Sequence, residues 1–434
     1  MERIDVPGHV LEVCRELGRT GYQAFIVGGA VRDALLGRPA VDWDVATDAP
    51  PAVVQRIFPD TIPTGARYGT VTVLVPVREQ TGWVRRPVQV TMFRTEGEYR
   101  DGRRPEWVAP AHTIEEDLSR RDLTVNAIAY DPWEERLVDP FGGRADLATG
   151  IVRTVGDPAR RFREDGLRLM RAVRLATELG FRMEAGTWRA LQQEAPRLAR
   201  VSRERVGEEW RRLLRAEAAG RGLVMIYESG LLLHVLPVPH PGRNAVERTK
   251  AALDRLPAGD GPERVAAVLV GLSRDDLDDC VLRALVYPRA HAKSAVHLAR
   301  MLRVFSADAV GTEPALRRFL RGLGRSNAAA FARLWQAWQP VEPARLGDGL
   351  AGRIVRVAAP GQPIDLSDLA VGGRDVQAVL GIGPGPEVGE WLERLLQHVF
   401  EHPEDNRRDR LVHLLRTWKT GARQPSPPCA KHRS

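Results

Sequence analysis

The chain has 434 residues, 43% of them apolar, which suits two to four folded domains with substantial cores. Its formal charge of +8 and its pI near 9.8 favour a polyanionic partner such as nucleic acid. Three scattered cysteines (Cys14, Cys280 and Cys429) exclude a zinc cluster and fit a reducing cytoplasm, and we expect neither a targeting peptide nor a membrane span.

The first part of the chain, up to about residue 145, mixes short β-rich runs with turns and predicts an α+β head. The predicted strands span residues 24–27, 41–46, 71–77, 88–93 and 127–130. From about Arg160 to about Trp418, apolar residues recur at helical spacing, which predicts an all-α remainder. Gly/Pro-containing stretches at 356–366 and 381–386 indicate breaks between helices, and residues 423–434 are typical of a disordered tail.

Gly28 and Gly29 follow the first predicted strand. Two glycines let the backbone approach a phosphate closely, and a helix from about Ala30 would aim its first N–H groups at that phosphate. Arg32 would add a charge-assisted donor. The alternative is a plain turn from strand to helix. The sequence has no Gly-x-x-x-x-Gly-Lys-Ser/Thr, which excludes an ordinary P-loop.

Asp42 and Asp44 stand two residues apart in the second predicted strand. Residues i and i+2 of a strand share a face, so the two carboxylates should lie side by side. Such charges repel each other unless cations lie between them, and Mg²⁺ is the natural occupant. A two-metal site can activate an attacking hydroxyl and hold a triphosphate, so the pair predicts nucleotidyl transfer. The alternative is a solvated edge or turn.

The sequences GGAVRDALLG (28–37) and DWDVAT (42–47) resemble the head motif of class II tRNA nucleotidyltransferases and bacterial poly(A) polymerases. These enzymes are members of the polymerase β-like nucleotidyltransferase superfamily. The resemblance implies a mixed-sheet head followed by an all-α neck, body and tail. It also implies that Asp42 and Asp44 are catalytic Mg²⁺ ligands and that Gly29 and Arg32 contact the incoming nucleotide.

Two features lie between the head motifs. Residues 94–105 (RTEGEYRDGRRP) resemble the flexible loop that CCA- and A-adding members have and CC-only members lack. Gln89 stands where many relatives carry a carboxylate, so the resemblance implies no third acid at that position. Either the two aspartates suffice, or another acid substitutes.

The sequence RRDLTVNA (120–127) is similar to the family's second motif. The resemblance implies that Arg121 touches the nucleotide and that Asn126 helps to shape the ribose pocket. The alternative for an Arg-Arg-Asp turn is a surface salt bridge.

Residues 151–215 carry sixteen arginines, no lysine and nine acidic residues, a net charge of +7, which predicts a local surface for a phosphate backbone. Within this stretch, four polar residues recur at i+3 spacing on a predicted helix: Asp165, Arg168, Arg171 and Arg174. Apolar residues fall on a different arc that can pack: Leu169, Val173 and Ala176. The alternative is a solvated face with salt bridges.

The first two of these polar residues have the chemistry to select a base. A carboxylate accepts from the exocyclic amine of C or A, and a guanidinium donates to the acceptor beside it, whereas G and U place a carbonyl oxygen opposite the carboxylate. Asp165 and Arg168 can thus select C and A without a nucleic-acid template. In the family that the chain resembles, the Glu-Asp-x-x-Arg motif has this role, which implies it for Asp165 and Arg168. Arg171 and Arg174 would be nearby nucleotide or phosphate contacts.

The resemblance continues in GIGPGPEVG (381–389) and at Asn406. It implies a nucleotidyltransferase head, a nucleotide-selecting and RNA-binding neck, a helical body and a tRNA-binding tail. We expect these parts at residues 1–145, 146–215, 216–360 and 361–422, respectively.

Together these features predict an Mg²⁺-dependent CCA tRNA nucleotidyltransferase with tRNA as partner, CTP and ATP as substrates and pyrophosphate as product. The alternatives are an A-adding enzyme, a poly(A) polymerase and an inactive RNA-binding protein. Both aspartates are present, which disfavours the inactive protein. A fused metal phosphohydrolase is disfavoured because no His directly precedes an Asp. The oligomeric state, monomer or homodimer, is left open.

Overall fold

A computed structural model of the chain describes residues 3–65, 69–80, 82–97, 107–339 and 349–421. The predicted tail at 423–434, Cys429 and most of the predicted loop at 94–105 lie outside these residues. The chain divides into two compact units. The first comprises residues 1–250, 257–260 and 280–287, and the second comprises 251–256, 261–279 and the residues from 288 onward.

Short strands dominate the first part of the first unit. They are β1 Ala24–Val27, β2 Asp44–Thr47, β3 Thr61–Gly65, β4 Thr70–Glu79, β5 Gly82–Met92, β6 Arg94–Glu96, β7 Val108–Pro110, β8 Ala129–Asp131 and β9 Arg136–Val138. Seven of them form one sheet in the order β3-β4-β5-β2-β1-β8-β9, while β6 and β7 pair with each other. The sheet is mixed, because β2 and β5 run parallel to each other, whereas the other neighbouring strands of the sheet pair antiparallel.

Five helices accompany this sheet: α1 Gly8–Arg19, α2 Gly29–Leu35, α3 Pro51–Ile57, α4 Ile114–Ser119 and α5 Gly143–Thr149. Helices α1, α2 and α3 pack against its strands. Helix α1 is amphipathic and buries Val10, Val13 and Leu17 together with Cys14, which is a free thiol. Phe25 of β1 and Phe93, which lies between β5 and β6, pack with Ile114 and Leu118 of α4 in one buried apolar cluster. The head is therefore held together by apolar packing between the sheet and its helices.

The strands agree with the predicted ones in place but differ in their ends. The second strand begins at Asp44 and not at residue 41. Asp44 pairs with Val27, the last residue of β1, so the neighbouring strand ends there. Val41 is 83% exposed and has no packing partner that would favour extended pairing. The hairpin of β4 and β5 is longer than predicted, which places residues 74–79 and 82–88 beyond the central strands.

The rest of the first unit is mostly helical, with a short parallel pair, β10 Ile151–Val152 and β11 Arg182–Met183. Its helices are α6 Pro158–Glu164, α7 Leu167–Leu179, α8 Ala185–Glu194, α9 Arg203–Arg215, α10 Ala219–Glu228 and α11 Leu232–Val235. The predicted apolar arc of α7 is confirmed, because Leu169, Val173 and Ala176 are fully buried.

The remaining helices are α12 Arg243–Arg255, α13 Pro262–Leu272, α14 Asp278–Ala284, α15 Arg289–Val304, α16 Glu313–Leu323, α17 Ala328–Trp338, α18 Leu350–Val357, α19 Gly373–Leu380, α20 Pro386–Glu401 and α21 Arg408–Gly421. Helices end at Val357 and at Leu380, where the sequence predicts breaks. The mixed-sheet head followed by helices confirms the predicted fold class. Among the described residues, no helix combines the length and apolarity needed to cross a membrane.

Candidate active site

A polar cavity of about 410 Å³ opens at the edge of the sheet where β1 ends and β2 begins. Predicted site residues from distant parts of the chain line it: Gly29, Asp44, Arg121, Asp165, Arg168 and Arg171. Residues of β4 and β5 also contribute, namely Thr70, Gln89 and Thr91. The cavity thus brings together motifs that are more than 100 residues apart in the sequence.

Gly28 lets the chain turn sharply from β1 into α2. Its φ of +80° is a conformation that residues with a side chain rarely adopt. A Cβ atom on Gly28 would lie 3.1 Å from Nη1 of Arg121 and 3.9 Å from Oδ2 of Asp44. The glycine therefore makes room for a guanidinium beside the Asp44 carboxylate, and α2 begins directly afterwards at Gly29.

Asp44 and Asp42 differ in their surroundings. Asp44 is the first residue of β2 and faces the cavity, whereas Asp42 is exposed, precedes the strand and is not among the lining residues. The expectation that both belong to one strand is therefore wrong. Burial raises the pKa of Asp44, the charge of Arg121 lowers it and the charge of Asp42 raises it, which gives a pKa of about 6. Asp42 is thus close enough for its charge to act on Asp44.

Gln89 lies next to Asp44, because the two residues are in register between β5 and β2. Gln89 faces the cavity and supplies an amide in place of a carboxylate. Among the described residues, no group of three or more His, Cys, Asp or Glu side chains could hold a metal ion.

Asp117 in α4 anchors the arginines of the second motif. Its side chain is 1% exposed and accepts from Arg120 Nε and Nη2 at 2.9 and 2.8 Å and from Arg121 Nη2 at 3.3 Å. Arg121 also donates to the carbonyl oxygen of Asn126 at 3.4 Å, while its Nε has no hydrogen-bond partner among the described residues. Sequence analysis missed Asp117, since nothing in IEEDLS distinguishes it from its acidic neighbours.

Arg32 lies behind the cavity lining. Its Nε and Nη2 donate to the two carboxylate oxygens of Asp33, each at 2.9 Å, and its Nη1 donates to Oδ1 of Asn126 at 2.6 Å. Asn126 lines the cavity and Arg32 does not. Arg32 therefore reaches the site through the amide that it orients.

Asp122 and Arg171 both line the cavity and form an ion pair with each other. Arg171 donates from Nε to Oδ2 of Asp122 at 2.7 Å, and the backbone N–H of Leu123 donates to Oδ1 at 2.9 Å. Burial alone would raise the pKa of Asp122, but the charge and hydrogen bond of Arg171 hold it well below its usual range. Asp122 is therefore ionised at neutral pH.

The predicted continuous helix through Asp165 is wrong. Helix α6 ends at Glu164, Asp165 is extended with φ −143° and ψ 110°, and α7 begins at Leu167. Asp165 accepts the N–H of Leu167, the first residue of α7, at 3.0 Å. The break packs tightly, because a Cβ on Gly166 would lie 3.0 Å from the carbonyl oxygen of Arg197.

Asp165 and Arg168 face the cavity, each held by a partner that sequence analysis missed. Arg205 in α9 donates from Nη2 to Asp165 Oδ2 at 2.5 Å and from Nη1 to Oδ1 at 3.3 Å. Arg168 donates from Nη1 to Oε2 of Glu164 at 2.5 Å. Glu164 belongs to the same motif, but Arg205 is 40 residues from Asp165 and its helix shows only an ordinary polar face.

Arg174 is the last of the predicted nucleotide or phosphate contacts, and its guanidinium is engaged in two ion pairs. Its guanidinium is 10% exposed and donates to Glu209 and Glu178, each at 2.5 Å. It is not among the lining residues of the cavity. The ion pair with Glu209 ties α7 to α9, the helix that carries Arg205, whereas Glu178 lies in α7 itself.

Comparisons with known proteins agree with this geometry. Residues 24–153 match the Poly A polymerase head domain, and residues 180–241 match the probable RNA and SrmB-binding site of polymerase A. A CCA-adding enzyme of Geobacillus thermodenitrificans (strain NG80-2) is 38% identical over 406 residues, which cover 93% of this chain and 95% of that protein. The CCA-adding enzyme of Bacillus subtilis (strain 168) is 33% identical over 419 residues, which cover 96% and 99%.

A solved structure is similar over nearly the same length. The crystal structure of the Bacillus stearothermophilus CCA-adding enzyme in complex with CTP matches with a TM-score of 0.77 and 33% sequence identity. The match covers 95% of this chain and 98% of that chain.

Proposed function

Because the chain belongs to the family of CCA-adding nucleotidyltransferases, we propose that it adds C, C and A to the 3′ end of tRNA. The substrates are CTP and ATP, pyrophosphate is released, and no nucleic-acid template is needed. The observation that carries this proposal is the single cavity in which the catalytic Asp44 and the base-selecting Asp165 and Arg168 meet.

We assign Asp42 and Asp44 to a divalent cation, specifically Mg²⁺, the hard cation that carboxylate oxygens suit. Enzymes of this family generally use a divalent metal. The residues fit such an ion, because the half-buried Asp44 carboxylate accepts no hydrogen bond from a described residue and the charge of Asp42 repels it. When bound there, the metal lowers the pKa of the attacking hydroxyl and neutralises charge on the triphosphate.

The protein's own residues position the nucleotide. The turn at Gly28 and Gly29 lets a substrate approach the backbone closely, and Arg121 places a positive charge beside it. Asn126, held by Arg32, presents its amide towards the ribose. Arg171, held by Asp122, is 36% exposed and can reach a phosphate or the base.

Base selection rests on a carboxylate and a guanidinium that the fold holds in place. Asp165 accepts from the exocyclic amine of C or A, and Arg168 donates to the ring acceptor beside it. Arg205 and Glu164 fix these two side chains, so their spacing does not depend on a bound nucleic acid. The carbonyl oxygens of G and U would face the Asp165 carboxylate and be rejected.

The predicted division of the chain follows from the same roles. The neck at 146–215 supplies Asp165, Arg168, Arg171 and Arg205, while the RNA-binding roles of the body and of the tail at 361–422 remain predictions. Both boundaries of the neck fall inside the first compact unit. A cytoplasmic location also remains a prediction.

The test is extension of a tRNA that ends at its discriminator base, incubated with purified protein, Mg²⁺ and CTP, ATP or both. The proposal expects growth by two nucleotides with CTP and by three with both, resolved on a sequencing gel. Extension only of a CC-ended tRNA by ATP would indicate an A-adding enzyme, and long A tails would indicate a poly(A) polymerase. Absence of any extension would indicate an inactive RNA-binding protein.

A further inference from the structure

The hairpin of β4 and β5 extends beyond the edge of the sheet that carries the active site. Strand β2 pairs with β5 only from Asp44 and Gln89 onward, and β3 pairs with β4 only up to Val73. Residues 74–79 and 82–88, here termed the ribbon, therefore pair with each other beyond the other strands of the sheet, and only the N–H of Leu74, at the base of the ribbon, donates to a further segment, the carbonyl oxygen of Asp60 at 2.9 Å, among the described residues. Trp83 lies six positions before Gln89, so the ribbon reaches about 20 Å past the edge of the sheet at the cavity.

One face of the ribbon continues the face that lines the cavity. Side chains of a strand alternate between two faces, and antiparallel partners share a face. Gln89 lines the cavity, so Arg85 and Trp83 lie on the same face of β5, and Arg78, the partner of Trp83, adds to it from β4. The opposite face carries Arg86, which pairs with Glu79.

The continuing face is unusual for a free surface because it exposes a large aromatic ring between two cations. Trp83 is 72% exposed. Arg85 is 68% exposed and forms an ion pair with Asp60 at 3.1 Å, which as an exposed pair contributes little to stability. The guanidinium of Arg78 makes no ion pair with any residue in the described part of the chain. Aromatic rings with interleaved arginines suit RNA, whose bases stack and whose phosphates pair with guanidinium.

We propose that this face of the ribbon binds the RNA strand that leads to the reacting 3′ end, with Trp83 stacked on an unpaired base and Arg78 and Arg85 on phosphates. The inference rests on the proposed function, since it takes the RNA as the substrate that enters the cavity. The face is continuous with the cavity and has the charge that RNA requires. RNA held there would approach Asp44 from beyond the N-terminal end of β2, where the ribbon extends past the first β2–β5 pair.

The test compares the Trp83→Ala variant and the Arg78→Ala/Arg85→Ala double variant with wild type, using a tRNA that lacks CCA. Matched controls are Arg86→Ala, on the opposite face of the same strand, and Trp133→Ala, a half-exposed tryptophan elsewhere in the head. The readouts are the Kd for the tRNA by filter binding at several salt concentrations, the KM for CTP and the thermal midpoint.

Loss of stacking should weaken tRNA binding about 5- to 150-fold in Trp83→Ala, the equivalent of about 1–3 kcal/mol. Loss of two phosphate contacts should reduce the slope of log Kd against log salt by about 1.4 in the double variant. The KM for CTP and the thermal midpoint should stay at the wild-type values, as should tRNA binding by the two controls.

Wild-type tRNA affinity and salt slope in both ribbon variants would overturn the inference, as would an equal loss in Arg86→Ala. If the wild-type protein extends tRNA and the ribbon variants bind tRNA normally, only the RNA-binding role of the ribbon is refuted. Wild-type protein that extends no tRNA would instead refute the proposed function. Trp83→Phe, which keeps an aromatic ring, should restore most of the affinity and separates stacking from a folding defect.

Discussion

Replacing Asp44 by asparagine is expected to abolish nucleotide addition and to stabilise the metal-free protein at the same time. Burial raises the pKa of Asp44, and the opposing effects of Arg121 and Asp42 leave it at about 6 against a usual 3.8. A shift of about two units corresponds to about 3 kcal/mol between the protonated and ionised states. The site therefore holds the ionised carboxylate at a cost in folding free energy.

The sign follows from proton linkage. A carboxyl with a higher pKa in the folded than in the unfolded protein loses its proton on unfolding at intermediate pH, so stability falls as the pH rises from about 4 to about 6. Asparagine lacks this titration. The Asp44→Asn variant should therefore exceed the wild type by about 3 kcal/mol at pH 8 and by about 1.5 kcal/mol at pH 5.

The assay is urea denaturation in EDTA at both pH values. Unfolding is monitored by hydrogen exchange of peptides from β1 and β2, so that the measurement reports on the unit that contains Asp44. Asp42→Asn is the matched control, because Asp42 is exposed and its loss should change stability by no more than about 0.5 kcal/mol. Mg²⁺ should reduce the difference in the free energy of unfolding between Asp44→Asn and the wild type, because it stabilises the wild type alone. Equal or lower stability of Asp44→Asn at pH 8, or the same gain at both pH values, would refute the reasoning.

Three further predictions concern the same cavity. Protons and Mg²⁺ compete for Asp44, so the apparent Mg²⁺ affinity in nucleotide-addition assays should fall about tenfold per pH unit below about pH 6. A Mg²⁺ titration midpoint that is independent of pH would contradict this competition. Gly28→Ala should lower kcat and reduce the free energy of unfolding by about 1–3 kcal/mol, because residue 28 has a φ of +80° and an added Cβ would crowd Arg121. A variant with the wild-type kcat and urea midpoint would show that the turn tolerates a side chain. Arg205→Ala removes the partner of Asp165, so competition between CTP and UTP should show selectivity reduced by about tenfold or more, and unchanged selectivity would mean that Asp165 needs no support.

Local sequence predicted the parts of the site that lie next to a glycine turn or at a strand end. Gly28 and Asp44 lie as expected, because the end of β1 and the start of β2 are fixed by direct pairing between Val27 and Asp44. The position of Asp42 was not predictable from alternation alone. Alternation assumes that a strand continues, whereas this strand begins only where a neighbouring strand is present.

The helical half of the site shows what periodicity omits. The i+3 pattern runs through Asp165 and Gly166 without interruption, yet the helix breaks there, where the carbonyl group of Arg197 and the side chain of Val201 lie close to Gly166. The family resemblance implied a nucleotide or phosphate contact for Arg174, whereas Glu209 and Glu178 bind its guanidinium. Contacts of this kind join residues that are far apart in the sequence, so spacing along one helix carries no record of them.

The most direct test of the central claim, that one protein-lined cavity selects C and A, is the nucleotide preference of Asp165→Ala. Wild-type and variant protein would be given CC-ended and unextended tRNA with each of the four nucleoside triphosphates, at saturating Mg²⁺ and across an Mg²⁺ titration. Loss of discrimination against UTP and GTP with an unchanged Mg²⁺ midpoint is the predicted result. A variant that still rejects UTP and GTP as the wild type does would contradict selection by Asp165.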